Sequence, residues 1–393
     1  MTLTILCAGA LAPPGTQRTS LQASSETEAP RGLAVAQLRD RLREERSSRA
    51  GHVLSDPALR RRLQRARVIR RQWLDAAAPA ELPDEQWLRE RFALDGQVAA
   101  CVLATTGVQA DDPARATAGT HGVAPLVVRP VHLHLGLDQL VLASPAQVFP
   151  DAHEAQLLTA SANRWLGEDG IELVAERPDA WRLAAQSPEA ARRLDGIAAL
   201  TAPSARVASG RNIDAWLPSG AARGDWRSLE NLVQMAWFEH PVNERREAEG
   251  RLPLNALWLE GRAGAARQRP FDCVCTTDGA LAGLATRAGA RVENSATPAT
   301  PCSATSSSPG PVTLIDAGFW RDPVADGDLD AWHRAWQDFG QWLTTAIGDR
   351  AALHLVLTGE RACIELALEP ADRLRIWRRL DPDSLLESAA ENA

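Results

Sequence analysis

Residues 240–261, HPVNERREAEGRLPLNALWLEG, hold more closely spaced polar side chains than ordinary folding requires. Their imidazole, amide and guanidinium groups could bind an anionic or polar small molecule where a helix gives way to a strand. The same groups could instead cap helices and satisfy the backbone of a loop, and the residue types do not separate these two roles. The residues are His240, Asn243, Arg245, Arg246 and Asn255.

Two predicted elements flank this segment. Apolar residues recur at helical spacing from 229 to 237, and Pro241 moves His240 out of helical geometry, so we predict that a helix ends there. Residues 252–259 predict a strand. Only a short turn would join the two elements, so we predict that the polar groups between them meet in one pocket.

A second loop supplies further candidates for this pocket. Arg211 and Asn212 follow Gly210, which permits a tight backbone turn. Together with Arg246, Arg211 would provide two guanidinium groups suited to bidentate recognition of a carboxylate or phosphate. The candidate ligand-binding residues are therefore Arg211, Asn212, His240, Asn243, Arg246, Asn255 and Arg262.

Two histidines form a separate pair. His132 and His134 lie two residues apart on a predicted strand, so both face the same way. A metal site built on them would need a third ligand that the sequence does not identify. The alternative is a hydrogen-bonded structural pair, and we assign no metal or cofactor to this chain.

Composition excludes several kinds of chemistry. The 393 residues carry 43 basic and 50 acidic side chains, and every basic one is an arginine. Without lysine there is no Schiff-base nucleophile, no pyridoxal phosphate anchor and no Walker-type phosphate lysine. The net charge of −7 argues against a nucleic-acid partner. The arginine-rich residues 60–71 predict a solvated amphipathic helix whose arginine stems cover apolar surface.

Apolar runs and cysteines in the sequence indicate where in the cell the protein is expected. No run of about 18 apolar residues could span a membrane, and the apolar start of the chain has no basic residues before it. The six cysteines are scattered, and Cys273 and Cys275 have the spacing of one strand face, which favours core packing. We therefore expect a cytoplasmic protein with reduced cysteines.

The order of predicted elements indicates an α/β fold with a largely parallel sheet flanked by helices. Residues 1–291 are predicted to form the core with an arginine-rich helical insertion, and 292–311 a flexible linker loop. Residues 312–393 would complete the same sheet with a strand, a helix and a strand. Strands are predicted at 3–8, 126–142, 171–175, 180–184, 312–316 and 353–358, and helices at 33–75, 84–94, 151–166 and 328–347.

The pattern HPVNxxRxxxGxxPxNxxWLxG resembles a segment of archaeal-type cofactor-independent phosphoglycerate mutases, which belong to the alkaline phosphatase superfamily. It is more similar still to a bacterial branch, the RpfE-type regulatory proteins. Further signatures of that branch recur in order as RPVHLHLGLDQL, EDG, GRNIDAWLP and LENLVQM, so that the resemblance spans residues 125–365. The resemblance implies an alkaline-phosphatase-like fold.

Mutases of this kind use two divalent metals, held by Asp and His, and a Ser or Thr nucleophile. This chain departs from their pattern in three places. Gly9 follows the first strand where they have a metal-binding Asp, and Arg361 replaces a His after the last one. The segment beginning at Asp316 has no His, although it keeps its carboxylates. Glu260 also stands in place of an Arg, with Arg262 two residues later.

These departures predict a regulatory protein that lacks the metal centre. It would act by binding a small anion or a protein partner. The alternative is an active metal-dependent phosphoglycerate mutase or a related phosphotransferase.

Overall fold

The computed structural model describes residues 2–11, 54, 56–74, 80–105, 126–136, 139–178, 180–262, 264–295, 312–326, 328–348, 351–375 and 380–382. The strands are β1 (Thr2–Cys7), β2 (Arg67–Trp73), β3 (Leu94–Asp95), β4 (Leu126–Val131), β5 (Leu133–Leu135), β6 (Leu140–Leu142), β7 (Ile171–Arg177), β8 (Ala180–Ala185), β9 (Ala256–Arg262), β10 (Ala265–Ala266), β11 (Cys273–Cys275), β12 (Arg291–Glu293), β13 (Val312–Asp316), β14 (Leu353–Thr358) and β15 (Ala362–Leu368).

The helices are α1 (Pro57–Gln64), α2 (Pro83–Phe92), α3 (Ala152–Leu166), α4 (Pro188–Ala198), α5 (Ala205–Ala208), α6 (Arg223–Trp237), α7 (Pro241–Ala248), α8 (Gly279–Arg287), α9 (Arg321–Asp326) and α10 (Leu329–Trp342). Among the described residues, none of these helices is long and apolar enough to cross a membrane.

The central sheet contains seven strands in the order β12-β11-β13-β1-β14-β15-β2. The first five run parallel to one another, and β15 and β2 add an antiparallel edge. Ile5 of β1 pairs with Ile315 of β13 on one side and with Leu355 of β14 on the other. The prediction that strands from the two ends of the chain share one sheet is therefore confirmed.

Helices cover both faces of the central sheet. Alternate β1 residues point to opposite faces, so Ile5 packs with Trp336 of α10 while Leu6 packs with Trp87 of α2 and Leu284 of α8. Both faces are apolar, which is the pattern expected of a parallel strand buried on two sides. The helix predicted at 328–347 is present as α10, and one apolar stripe at helical spacing is buried against the sheet: Trp332, Ala335, Trp336 and Phe339, continued by Leu343 just after the helix.

The prediction of one helix through the arginine-rich residues 60–71 is wrong. Helix α1 ends at Gln64, and β2 then pairs with β15 at the edge of the central sheet. Arg67, Arg70 and Arg71 are exposed on this edge strand, where charged side chains discourage pairing with another chain. Residues 33–53 of the predicted helix lie outside the described residues.

Residues 126–262 form what we call the inserted unit. Its antiparallel sheet has the order β7-β8-β4-β9 and packs against α3, α4 and α6, with Trp181 and Trp237 in edge contact at its core. The chain enters and leaves this unit through β3 and β10, which pair side by side. A Cβ at Gly264 would lie 1.2 Å from the carbonyl oxygen of Asp95, so only glycine fits this crossing.

The turn predicted between His240 and the following strand is also wrong, because α7 occupies it. Pro241 is the first residue of α7, and the ring nitrogen Nδ1 of His240 accepts a hydrogen bond from the backbone N–H of Val242 at 3.2 Å. Proline breaks a preceding helix, but its fixed φ also suits the first helical position. Strand β9 accordingly begins at Ala256 rather than at residue 252.

A buried ion pair fixes α7 against α3. Arg246 is 1% exposed, and its Nη1 lies 2.7 Å from Oε2 of Glu154. Its Nε donates to the carbonyl oxygen of Leu252 at 2.7 Å. Glu154 also accepts from the backbone N–H of Asp151, which caps α3, and from Arg251 at 2.8 Å. Burial lowers the pKa of Arg246, although Glu154 opposes this.

We expect Arg246→Ala to destabilise the protein by about 3 kcal/mol, the lower end of the cost of breaking a buried pair, because Arg251 would remain on Glu154. Arg251→Ala is the matched control, since Arg251 contacts the same carboxylate but is 39% exposed. That variant should lose less than about 1 kcal/mol. Chemical denaturation measures both changes, and equal losses in the two variants would contradict the assigned role of Arg246.

Candidate ligand-binding cavity

A cavity of about 410 Å³ lies between the central sheet and the inserted unit. On the side of the central sheet it is lined by residues that follow the carboxyl ends of parallel strands. Ligands of open α/β sheets bind in this place because loops from neighbouring strands diverge there. These residues are Ala8 and Gly9 after β1, Asp278 after β11, and Gly359 and Glu360 after β14.

The inserted unit supplies the opposite wall. The polar members are Arg129 on β4, Ser144 after β6, Glu260 on β9, and three residues in or after α5. Leucine, valine and phenylalanine side chains fill the space between the charged groups, so the cavity is amphipathic. The three residues of α5 and the loop after it are Arg206, Ser209 and Arg211.

Each arginine that lines the cavity is paired with a carboxylate. Pairing of this kind is required because unpartnered charges are costly where water is excluded. The pairs are Arg129 with Glu260 at 2.8 Å, Arg206 with Asp84 at 2.9 Å and Glu85 at 3.4 Å, Arg211 with Glu360 at 3.3 Å, and Arg321 with Asp316 at 2.9 Å and Asp278 at 3.3 Å.

The carboxylates differ in how readily they hold a proton. Burial raises the pKa of Glu85 to about 7, although Arg206 acts in the opposite direction. Burial also acts to raise the pKa of Asp278, but Arg321 and Arg206 outweigh it, and the net change is a lowered pKa. Near neutral pH, Glu85 is therefore partly protonated while Asp278 stays ionised.

Ser209 has an unused hydroxyl group at the cavity wall. The residue is 3% exposed, and no described residue gives its Oγ a hydrogen-bond partner. The next residue, Gly210, has a φ of +73° and donates its N–H to Leu142, which turns the chain sharply. Arg211 then follows, with its guanidinium 4.9 Å from the ring centroid of Trp216. Ser209 and Arg211, two residues apart, thus both line the same cavity.

Three candidates from residues 240–261 hydrogen-bond to backbone. His240 caps α7, and the side-chain amide of Asn243 bonds both the N–H and the carbonyl oxygen of Leu254 at 2.8 Å. Asn255 bonds the same two backbone groups of Leu133, at 2.7 and 2.9 Å. Arg246 is held by Glu154, as described above.

The remaining candidates lie apart from these. Asn212 accepts from the N–H of Asp214 at 3.1 Å, and Arg262 pairs with the exposed Asp195 at 2.7 Å. Of the seven candidates, only Arg211 is among the described residues that line the cavity. The structure therefore does not bring the set together there, and ligand binding by the other six stays a prediction.

The histidine pair lies outside the cavity lining. Nδ1 of His132 lies 2.9 Å from the carbonyl oxygen of Pro253, and burial lowers the pKa of His132. His134 is exposed, and the two ring centroids are 6.1 Å apart. Within the described part of the chain, neither histidine belongs to a group of three side chains spaced to hold a metal.

A different trio does have that spacing. Ligand atoms of Cys273, Cys275 and Glu293 lie within 4.8 Å of one another. Cys273 is disulfide-bonded, so its sulfur is not available as a thiolate ligand. The expectation that all six cysteines are reduced is wrong for this residue.

Most of the polar residues that line the cavity were not predicted from the sequence. Arg129 lies on β4, Arg206 and Ser209 lie in and just after α5, and Arg321 begins α9, so no dense polar segment of the sequence contains all four. One rule could have located part of the lining from the predicted strands. Loops that follow parallel strands meet at one edge of the sheet, where ligands bind. Glu360, which follows a predicted strand, is the residue that this rule could have found.

No protein-family model matches the chain. A segment of 73 residues is 32% identical to a 2,3-bisphosphoglycerate-independent phosphoglycerate mutase of Methanosarcina barkeri, covering 19% of this chain and 18% of that protein. This chain therefore matches less than a fifth of the relative's length.

Two solved structures align over nearly the whole chain at 11% sequence identity. One is a protein of Pyrococcus horikoshii, with 96% of this chain and 90% of that chain covered and a TM-score of 0.45. The other is the cofactor-independent phosphoglycerate mutase of Thermoplasma acidophilum, with 100% and 96% covered and a TM-score of 0.34. Both scores are below 0.5, and likeness at that level decides neither fold family nor function. The comparisons thus point to a phosphoglycerate mutase through one short segment of sequence.

Proposed function

We propose that this chain is a phosphoglycerate-mutase-like regulatory protein of the RpfE type, with an alkaline-phosphatase-like fold, which binds a small anion and does not catalyse phosphoryl transfer. The observation that carries the proposal is the unpartnered hydroxyl of Ser209 beside Arg211 at the cavity wall. Buried polar groups are usually hydrogen-bonded, and at the cavity wall a ligand atom could supply the partner that no described residue gives this hydroxyl. The adjacent guanidinium makes an anionic oxygen the fitting partner.

Arg211 is the arginine best able to exchange its partner. Its contact with Glu360 is 3.3 Å long, and the two side chains are 21% and 17% exposed. The pair joins the inserted unit to the loop after β14, so an incoming anion could replace Glu360 without disturbing either sheet. Stacking on Trp216 would keep the guanidinium in place during this exchange.

The charges of the cavity limit the ligand to a low negative charge. Four arginines line it, against the six carboxylates of Asp84, Glu85, Glu260, Asp278, Asp322 and Glu360. Partial protonation of Glu85 reduces this acidic excess but does not remove it. A ligand with one anionic group and an otherwise neutral body suits such a site better than a polyanion.

The described cavity lining does not fit the two-metal centre that the resemblance implies. It contains no histidine, and β1 is followed there by Ala8 and Gly9, neither of which can ligate a metal through its side chain. After β14 the carboxylate of Glu360 is paired with Arg211. These contacts support a binding role. The short match to the Methanosarcina mutase favours the alternative, an active metal-dependent enzyme.

For the binding site, we expect D-glycerate, a monoanion, to bind at least as tightly as 3-phosphoglycerate. Arg211→Ala should weaken its binding by about 1.5–3 kcal/mol, and Ser209→Ala by about 1 kcal/mol, as for charged and neutral hydrogen bonds. Arg267→Ala is the matched control, because Arg267 is paired with Asp95 and does not line the cavity. Isothermal titration calorimetry measures the affinities.

Two results would contradict this site. One is the absence of saturable binding of D-glycerate, inorganic phosphate and 3-phosphoglycerate to the wild-type protein. The other is an equal loss of affinity in Arg211→Ala and Arg267→Ala.

For catalysis, we expect the purified protein not to interconvert 3- and 2-phosphoglycerate at an enzymatic rate when Mn²⁺ or Mg²⁺ is supplied. The reason is that Gly9 follows β1 where the resembled mutases have a metal-binding Asp, and that the described cavity lining contains no histidine. A coupled assay measures the reaction, with Asp316→Asn as the control. Metal-dependent turnover that disappears in this variant would establish the alternative.

A further inference from the structure

Two carboxylates from different strands meet beneath the cavity. Asp316 ends β13 and is 1% exposed, and it accepts a hydrogen bond from Oγ1 of Thr276 at 2.6 Å. Asp278 follows β11 and caps α8 by accepting from the N–H of Leu281 at 2.8 Å. The N–H of Asp278 donates to the same Thr276 hydroxyl at 2.9 Å, so the two acids belong to one hydrogen-bonded network.

The guanidinium of Arg321 bridges these two acids. Its Nη2 lies 2.9 Å from both carboxylate oxygens of Asp316, and its Nη1 lies 3.3 Å from Oδ2 of Asp278. Arg321 is the first residue of α9, directly after the buried Trp320, so the backbone holds it close to the end of β13. Three carboxylate oxygens thus face one cation that belongs to the chain itself.

We infer that Arg321 is a built-in cation that takes the place of a divalent metal between Asp278 and Asp316 and keeps such metals out of the cavity. The inference concerns the same cavity as the proposed function, but it does not depend on which ligand binds at Arg211. It assigns Arg321 as the residue that determines metal specificity.

A guanidinium can compensate the charge of the carboxylates as a metal ion would, but it cannot perform the catalytic functions of a metal ion. It supplies one positive charge and planar donors that match a carboxylate, which satisfies buried acids. It has no open coordination position and does not activate a hydroxyl nucleophile or bind two phosphoryl oxygens as a divalent ion does. Asp316 and Asp278 raise the pKa of Arg321 against the effect of its burial, so the charge is permanent.

Hard divalent ions prefer oxygen ligands, and Mg²⁺ sites often use only one or two carboxylates with water completing the shell. If a neutral residue replaced Arg321, Asp316 would lose its guanidinium partner and Asp278 would lose one of the positive charges that keep it ionised, so the pair would favour another cation. Removing this one residue should therefore create a divalent-cation site from groups that are already in place.

The experiment measures Mn²⁺ affinity by electron paramagnetic resonance in the wild-type protein and its variants. Arg321→Gln, which keeps a hydrogen-bond donor for Asp316, should bind Mn²⁺ about tenfold or more tightly than the wild type. The gain should disappear in the double variant Arg321→Gln with Asp316→Asn. Arg211→Ala is the charge-matched control, because it removes one positive charge from the same cavity.

An equal gain of Mn²⁺ affinity in Arg321→Gln and Arg211→Ala would overturn the inference, since it would show a general charge effect. A folded Arg321→Gln variant without any gain would overturn it as well. The wild-type protein gives a test that does not depend on the folding of that variant. Wild-type Mn²⁺ binding that is lost on Asp316→Asn would show that the metal enters despite Arg321. None of these results changes the expected effect of Arg211→Ala on anion binding, so the two proposals can fail separately.

Discussion

The position of β1 between β13 and β14 is the constraint on which the rest of this structure depends. Both hydrogen-bonded edges of the first strand are taken by strands that the chain supplies more than 300 residues later. Between β1 and these two partner strands, the chain leaves the central sheet to form the inserted unit and returns past the β3–β10 pair. Such non-local pairing is slow to form, because loop closure precedes the contacts that reward it. The same arrangement gathers the carboxyl ends of β1, β11, β13 and β14, and it thereby creates the floor of the cavity.

Several carboxylates are buried at or near this cavity, and arginine side chains compensate their charge. Because the chain has no lysine, each compensating cation is a planar fork that can contact two oxygens or two partners. Arg321 bridges Asp316 and Asp278 in this way, and Arg246 makes the same kind of contact with Glu154 inside the inserted unit. Buried pairs of this kind are weak sources of net stability, since desolvation offsets most of the attraction. Their effect is to fix which elements meet and which charges remain available to a ligand.

The parts of the fold that could be predicted from sequence are those with a local signal. Residues 312–316 and 353–358 are short apolar runs bounded by turn residues, and the α10 stripe repeats at helical spacing, so pattern alone located them. Strand β2 gave no such signal, because its arginines hide the alternation and its pairing with β15 is non-local. Helix α7 was missed for another reason, since Pro241 is both the breaker of one helix and the start of the next.

The candidate site was harder to find, because polar residues that build a fold and polar residues that bind a ligand have the same types. Asn243 and Arg246 lie in a segment rich in polar residues. Their side chains hydrogen-bond the backbone of Leu254 and Leu252, in the chain that leads from α7 to β9. The cavity residues come in short groups from several strands, helices and loops, and these groups lie far apart in the sequence. Ser209 differs from Asn243 in its hydrogen bonding, because the amide of Asn243 is hydrogen-bonded to Leu254 whereas no described residue gives the Ser209 hydroxyl a partner. The fold determines which hydrogen-bond partners a side chain has. The difference between Ser209 and Asn243 therefore could not be predicted from the sequence alone.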